Sequence, residues 1–204
     1  MFNTTITAII FDLGGVILNL DVGKTERGLR KIMGIEAGND NNHSGLISVL
    51  KDYETGKLNS GQFIDSIYSQ AVIKTSREEI IDVWNAMLVD IPQKRIKLLK
   101  KLAKNYRLFL LSNTNELHVN YFENMVKGKQ KFRDLFEKVY YSHIIKCRKP
   151  DKRAFQIVIA ENNLDVSTTL FIDDNEDNIE TAKATGFQTV HITADLDLTD
   201  VFTV

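Results

Sequence analysis

Five short runs of apolar, largely β-branched residues, joined after the second by helical patterns, predict an α/β protein built on a parallel sheet. The runs are Ile6–Phe11, Arg107–Leu111, Lys138–Tyr141, Thr169–Ile172 and Gln188–Ile192. Each has the length of a buried strand, and near-continuous apolarity is what a sheet covered on both faces needs. The stretch 12–106 between the first two runs far exceeds the roughly dozen residues of an ordinary crossover. Together these features predict a doubly wound, Rossmann-like parallel sheet with a helical cap inserted after the first strand. The expected core is 1–19 with 91–204, and the expected cap is 20–90.

Within the insertion, Lys24–Met33, Leu46–Tyr53, Ser60–Ala71 and Ser76–Leu88 carry helical spacing. Gly34–Ser44, polar and rich in Gly and Asn, reads as a loop. An insertion hinged beside the first strand can act as a lid that excludes water and selects substrate; a static helical extension is the alternative. After it, RIKLLKKLAKNY places apolar residues at helical spacing with lysines outward, ahead of the second strand. Asp151–Asn162 follows Lys149-Pro150, with Pro150 suited to a helix start. Glu176–Thr185 ends at Gly186, a natural C-terminal stop.

The composition, 43% hydrophobic and 26% charged over 204 residues, is that of a globular protein with a sizeable core. With 26 basic and 27 acidic residues, the net charge of −1 leaves no electrostatic footprint for nucleic acid. No run approaches a membrane span. The N-terminal apolar run lacks an early positive charge and is interrupted by Asp12, which argues against a secretion signal. One cysteine, Cys147, cannot form an internal disulfide and suits a reducing cytoplasm. Four scattered histidines and that cysteine do not make a zinc site. Oligomeric state is left open.

The chemistry sits at strand ends. Asp12 directly follows the first apolar run and precedes Gly14-Gly15, Ser112 ends the second, and Asp173-Asp174 end the fourth. Ligands bind at the carboxyl edge of an open α/β sheet. Lys149, in CRKPD, joins them from a loop. An acidic pair opposite one aspartate, with a hydroxyl and a lysine, is what Mg²⁺-assisted phosphoryl transfer to a carboxylate requires. Each piece also has a bland explanation: an aspartate after a strand caps helices, Asp173-Asp174-Asn175 suits a turn, Ser112-Asn113-Thr114 suits an N-cap, and Lys149 suits a solvated surface. Their joint occurrence at one sheet edge is what the bland explanations do not account for.

FDLGGV, LLSNTN, RKPD and FIDDNEDN resemble the four motifs of the haloacid dehalogenase superfamily, in order, and the insertion falls where that superfamily carries its cap. Within it, the first motif is most like those of bacterial sugar-phosphate phosphatases of the α-glucose-1-phosphate type. The resemblance implies that Asp12 is the nucleophile and Lys149 its cationic partner. It implies that Ser112, Asn113 and Lys149 bind phosphate, and that Asp12, Asp174 and the Gly14 carbonyl hold Mg²⁺. Asp173 would stand beside the ion, and Asn178 would orient Asp174 or a metal-bound water. The physics agrees: a carboxylate ~4 Å from a phosphate dianion, at an effective dielectric of about 20, costs about 4 kcal/mol per like-charge pair. That is roughly a thousandfold in rate, so positive charge must be supplied. His118 faces the lid in this reading, as a substrate contact or as a structural histidine.

The chain departs from the superfamily pattern at Gly14, where most of its phosphatases carry an acid–base aspartate. Such a group contributes ~10²–10⁴-fold. Three explanations compete: a good leaving group such as an anomeric phosphate (a sugar 1-phosphate), a substitute acid such as Asp21, or weak catalysis. Two rival functions follow, a metal-free haloacid dehalogenase and a non-catalytic phosphometabolite-binding protein. An uncancelled acidic pair beside the nucleophile disfavours the dehalogenase. The expectation is a cytoplasmic, Mg²⁺-dependent phosphomonoesterase acting on a small phosphorylated metabolite.

Overall fold

The computed structural model describes residues 5–35, 43–126 and 131–202, and of 43–46 the backbone alone. Strand β1 (Ala8–Phe11) lies at the centre of a five-stranded parallel sheet of order β5-β4-β1-β6-β7. The others are β4 (Arg107–Ser112), β5 (Lys138–Tyr141), β6 (Thr169–Asp173) and β7 (Gln188–His191). Ile9, Ile10 and Phe11 are fully buried, because helices cover both faces. One face packs under α5 (Gln93–Leu102) and α10 (Leu198–Val201), around Phe11, Leu99, Leu110 and Leu170. The other packs under α8 (Lys152–Asn162) and α9 (Glu176–Thr185), around Ile10, Phe109, Phe155 and Phe171. The register sets Phe11 beside Leu110 and Ile172. Asp12, Ser112 and Asp173 therefore emerge together at the carboxyl edge.

The insertion forms α1 (Val22–Met33), α2 (His43–Glu54), α3 (Ser60–Tyr68) and α4 (Arg77–Asn85). Asn59 and Ser76 each close a capping box, with Gln62 and Glu79, which fixes the starts of α3 and α4. Their own core is small and aromatic: Tyr53 stacks on Phe63 at 4.3 Å, and Phe63 lies 4.8 Å from Trp84.

Several local expectations are corrected. The helix expected over Ser76–Leu88 ends at Asn85, and Leu88 begins strand β3 (Leu88–Asp90), which pairs antiparallel with β2 (Asn19–Leu20). This two-stranded neck carries the chain out of the core and back. Ser60–Ala71 likewise stops at Tyr68. In the expected loop Gly34–Ser44, Gly34 is the left-handed cap of α1 and His43 already starts α2; residues 36–42 lie outside the described residues. Asp151, rather than Pro150, starts α8, its side chain capping Arg153 N.

Candidate active site

Lys149 organises the site. Its ammonium, 1% exposed, donates to Asp12 Oδ1 and Asp173 Oδ2, each at 2.6 Å. Burial works against its charge, and the two carboxylates more than offset that, so its pKa lies above the ordinary lysine value. Burial pushes Asp12 up to about 7, opposed by Lys149 and reinforced by Asp173 and Asp174. Asp174 is raised too, first by burial and then by Asp173. Three carboxylates against one lysine leave the site short of positive charge.

Asp12, Asp173 and Asp174 each offer an oxygen within 4.8 Å of the others, the only such cluster among the described residues. Their bonding separates them. Asp173, with no exposure, accepts from Lys149 Nζ, from Asn175 N at 2.8 Å and from the Asn178 amide at 3.0 and 3.1 Å. Both of its oxygens are engaged. Asp174 is exposed, so Asp12 and Asp174 are the pair whose oxygens fit a hard divalent cation. This corrects the expectation for Asn178, whose amide holds Asp173 rather than Asp174.

The Asn113 side chain is engaged with the Lys149 backbone. Its amide donates to Lys149 O and its carbonyl accepts from Lys149 N, both at 2.9 Å. The side chain is thereby used to position the Lys149 backbone, and what it can offer a substrate is its own main-chain N–H. Ser112 is buried at the end of β4 and lines the cavity described below. His118 is structural: Asn115 Nδ2 lies 3.2 Å from Nδ1, Trp84 O lies 3.1 Å from Nε2, and the ring stacks on Trp84 at 4.7 Å. Burial lowers its pKa to about 4, so it is neutral.

The residues around Gly14 explain the missing acid. Gly14 is outside the left-handed region, and a Cβ there would lie 2.6 Å from Leu20 Cδ1. An apolar side chain thus stands where an acid's would begin. Asp21, the suggested substitute, caps α1 by accepting from Lys24 N at 3.2 Å. Gly15 is required for another reason: at φ 75° it lets Asp174 approach, and a Cβ would overlap that carboxylate.

Two contacts were not anticipated. His191, read as a core-strand residue, places Nε2 3.0 Å from Asp174 O. The signal for it was register, since His191 pairs with Asp173 across β6 and β7. Arg148 Nε sits 3.0 Å from Glu54 Oε2, near enough to pair as charges although the N–H is not aimed at the oxygen. No local pattern joins residues so distant in sequence.

Between cap and core lies a cavity of about 740 Å³, reaching from Gly14, Ser112 and Asn113 to Leu29, Leu50 and Trp84. Among the described residues no helix is long and apolar enough to cross a membrane.

Residues 6–186 match the family model of haloacid dehalogenase-like hydrolases. A D-ribitol-5-phosphate phosphatase from Bacteroides thetaiotaomicron is 28% identical over 184 residues, 89% of either chain. A sesquiterpene phosphatase from Aspergillus oryzae is 24% identical over 198 residues, 95% of this chain and 93% of that one. Among solved structures, an enzyme of the same family from Bacteroides thetaiotaomicron, in complex with magnesium and inorganic phosphate, superimposes with a TM-score of 0.87. It is 32% identical, covering 97% of this chain and 100% of that one. These matches run over the acidic cluster, the buried lysine and the inserted helices alike. The chain belongs to the haloacid dehalogenase-like hydrolases, and its Asp12, Asp173 and Asp174 form a cluster close enough to hold a metal ion.

Proposed function

We propose that the chain hydrolyses a small phosphate monoester through an aspartyl-phosphate on Asp12, with residues 20–90 as cap over a core of 1–19 and 91–204. The observation that carries this is the buried Lys149 bridging Asp12 and Asp173 at 2.6 Å, with Asp174 turned to the same space. Lys149 aims Asp12 and opposes the burial that favours its protonated form. The Ser112 hydroxyl and the Asn113 main-chain N–H receive phosphoryl oxygens. Asp12 oxygen bonds to phosphorus as the ester P–O bond breaks, and the alcohol leaves toward the cavity, taking its proton from solvent. Water then attacks the same phosphorus, releasing phosphate and restoring the carboxylate. Asp12, Asp174 and the Gly14 carbonyl would hold magnesium, which would supply positive charge against the repulsion between carboxylate and phosphate dianion.

With Leu20 in the acid's place and Asp21 occupied as a cap, the leaving oxygen receives little proton help. That favours alcohols that are acidic in their own right. An anomeric sugar, leaving from a sugar 1-phosphate, is one such alcohol, and an aryl alcohol is another. The relatives carry names as different as ribitol phosphate and sesquiterpene, so kinship leaves the alcohol open. The test is phosphate release from 4-nitrophenyl phosphate with and without Mg²⁺, together with hydroxylamine trapping of the acyl phosphate at Asp12. Metal-independent halide release from a 2-haloacid, with no phosphate release from any ester, would overturn the proposal.

A further inference from the structure

An anomeric sugar and an aryl alcohol are both acidic enough to leave with little proton help; the cavity wall separates them. We infer that the substrate's alcohol is largely hydrocarbon, an apolar phosphate monoester rather than a sugar or polyol phosphate, an inference that rests on the phosphatase reading above. Over its described extent the wall is dominated by Leu13, Leu18, Leu29, Leu50, Met87 and Phe122. Leu20, Val22 and Ile47, at 39%, 55% and 50% exposure, continue the apolar surface to the mouth. A volume near 740 Å³ is in the range of small-molecule sites, and far exceeds what a phosphoryl group needs.

The polar groups of the wall fall into two sets. Ser112, Asn113 and Thr114 lie at the phosphate end, as the termination of β4 and the turn after it. Of those farther along, Thr25 and His118 are hydrogen-bonded within the protein, and Glu26, Arg30 and Glu54 are ion-paired. Thr25 Oγ1 donates to Val83 O at 2.8 Å and accepts from Met87 N at 3.1 Å. His118 has partners at both ring nitrogens. Glu26 pairs with Arg30 at 3.1 Å, and Glu54 with Arg148 at 3.0 Å. A polyol entering here would turn several hydroxyls toward hydrocarbon without partners, a desolvation cost that a hydrocarbon body does not incur. The same body gains from every methylene it buries.

A series of 4-n-alkylphenyl phosphates, methyl to hexyl, tests this with leaving-group acidity held constant. In the full chain with saturating Mg²⁺, kcat/KM is expected to rise about fourfold per methylene, the factor corresponding to about 0.8 kcal/mol. Inhibition by n-alkylphosphonates should tighten in parallel, which reads binding without turnover. Ribitol 5-phosphate and glucose 1-phosphate should be slower than the hexyl compound by a hundredfold or more. Met87→Gln, which puts an amide of similar size in the wall, should cut the hexyl-to-methyl ratio about tenfold. Ile47→Asn at the exposed mouth should lower it in the same direction, and serves if the first variant does not fold. A flat series with the short esters still hydrolysed, a preference for either sugar phosphate, or ratios unmoved in both variants would overturn the apolar class and leave the phosphatase standing. Absence of Mg²⁺-dependent hydrolysis of every ester would overturn both.

Discussion

The two adjacent aspartates have different work, and their partners say which. Removing the Asp173 carboxylate leaves the Asn178 amide and half the charge of Lys149 buried without a partner. Asp173→Ala should therefore lower stability by about 3–5 kcal/mol, measured by urea unfolding. Asp174→Ala should leave the unfolding free energy within about 1 kcal/mol of wild type while weakening Mg²⁺ binding in calorimetry; unchanged affinity would remove Asp174 from the ion. Asp12→Asn should fold normally by circular dichroism and lose more than about 10⁴-fold in turnover, since an amide forms no phosphoenzyme. Gly14→Asp meets no backbone obstacle, only Leu20 Cδ1. Combined with Leu20→Ala, it should raise hydrolysis of primary-alcohol phosphates by ~10²-fold or more, flattening the dependence on leaving-group acidity. A slope unchanged from wild type would mean that another group already donates the proton.

At the scale of elements, the cap is tied to the core along α6 (Glu116–Phe122) and its cap residue Asn115. Trp84 Nε1 donates to Asn115 Oδ1 at 3.2 Å, Leu117 N donates to Tyr53 OH at 3.1 Å, and Ser60 bonds Glu116. Beyond α6, Lys146 Nζ donates to Gly56 O at 2.8 Å. His118, stacked on Trp84 in this seam, is depressed to about 4 by burial, from an ordinary value of 6.5. Between those two values the unfolded chain binds the extra proton at this site, so the His118 contribution to stability rises with pH there. That of Asp12, raised to about 7, runs the other way. The His118 contribution is whole above pH 6.5 and is lost as pH falls toward 4, amounting to about 3 kcal/mol at most. His118→Gln should remove most of this slope from the pH dependence of unfolding free energy. An identical slope in wild type and variant would place the acid sensitivity elsewhere.

At the scale of the whole molecule, the neck of β2 and β3, the seam along α6 and the contacts of Lys146 and Arg148 with Gly56 and Glu54 join cap and core, and the cavity lies between cap and core. Trp84, the single tryptophan, lines that cavity and belongs to the cap. Its emission is therefore a built-in reporter of occupancy. Titration of the wild-type protein with n-hexylphosphonate and Mg²⁺ should change Trp84 fluorescence saturably, with inorganic phosphate giving a smaller change. Equal responses to both would place the reporter's response in the phosphate site and not in the cavity.

The strand positions were legible because a strand buried on both faces must be apolar throughout, and Ala8–Phe11, Lys138–Tyr141 and Thr169–Asp173 stand where the runs stand. The inserted helices were legible from spacing, and the structure adds the capping boxes at Asn59 and Ser76 that set where two of them start. The site was legible only as types of residue at strand ends, since position at a sheet edge is a property of sequence pattern. Where each side chain turns is not. Asn178 goes to Asp173, Asn113 to the Lys149 backbone and His191 to the Asp174 carbonyl because of distances set by packing between elements far apart in the chain. The neck was missed for the same reason: two and three residues of strand carry too little pattern to be seen without their partner. The sequence by itself determined the sheet, the insertion and the set of chemical groups, through periodicity and composition. Only the tertiary structure decided which aspartate is left for a metal, what stands beside Gly14, and that the cavity between cap and core is lined largely by apolar side chains, because each depends on long-range contacts that no local pattern encodes.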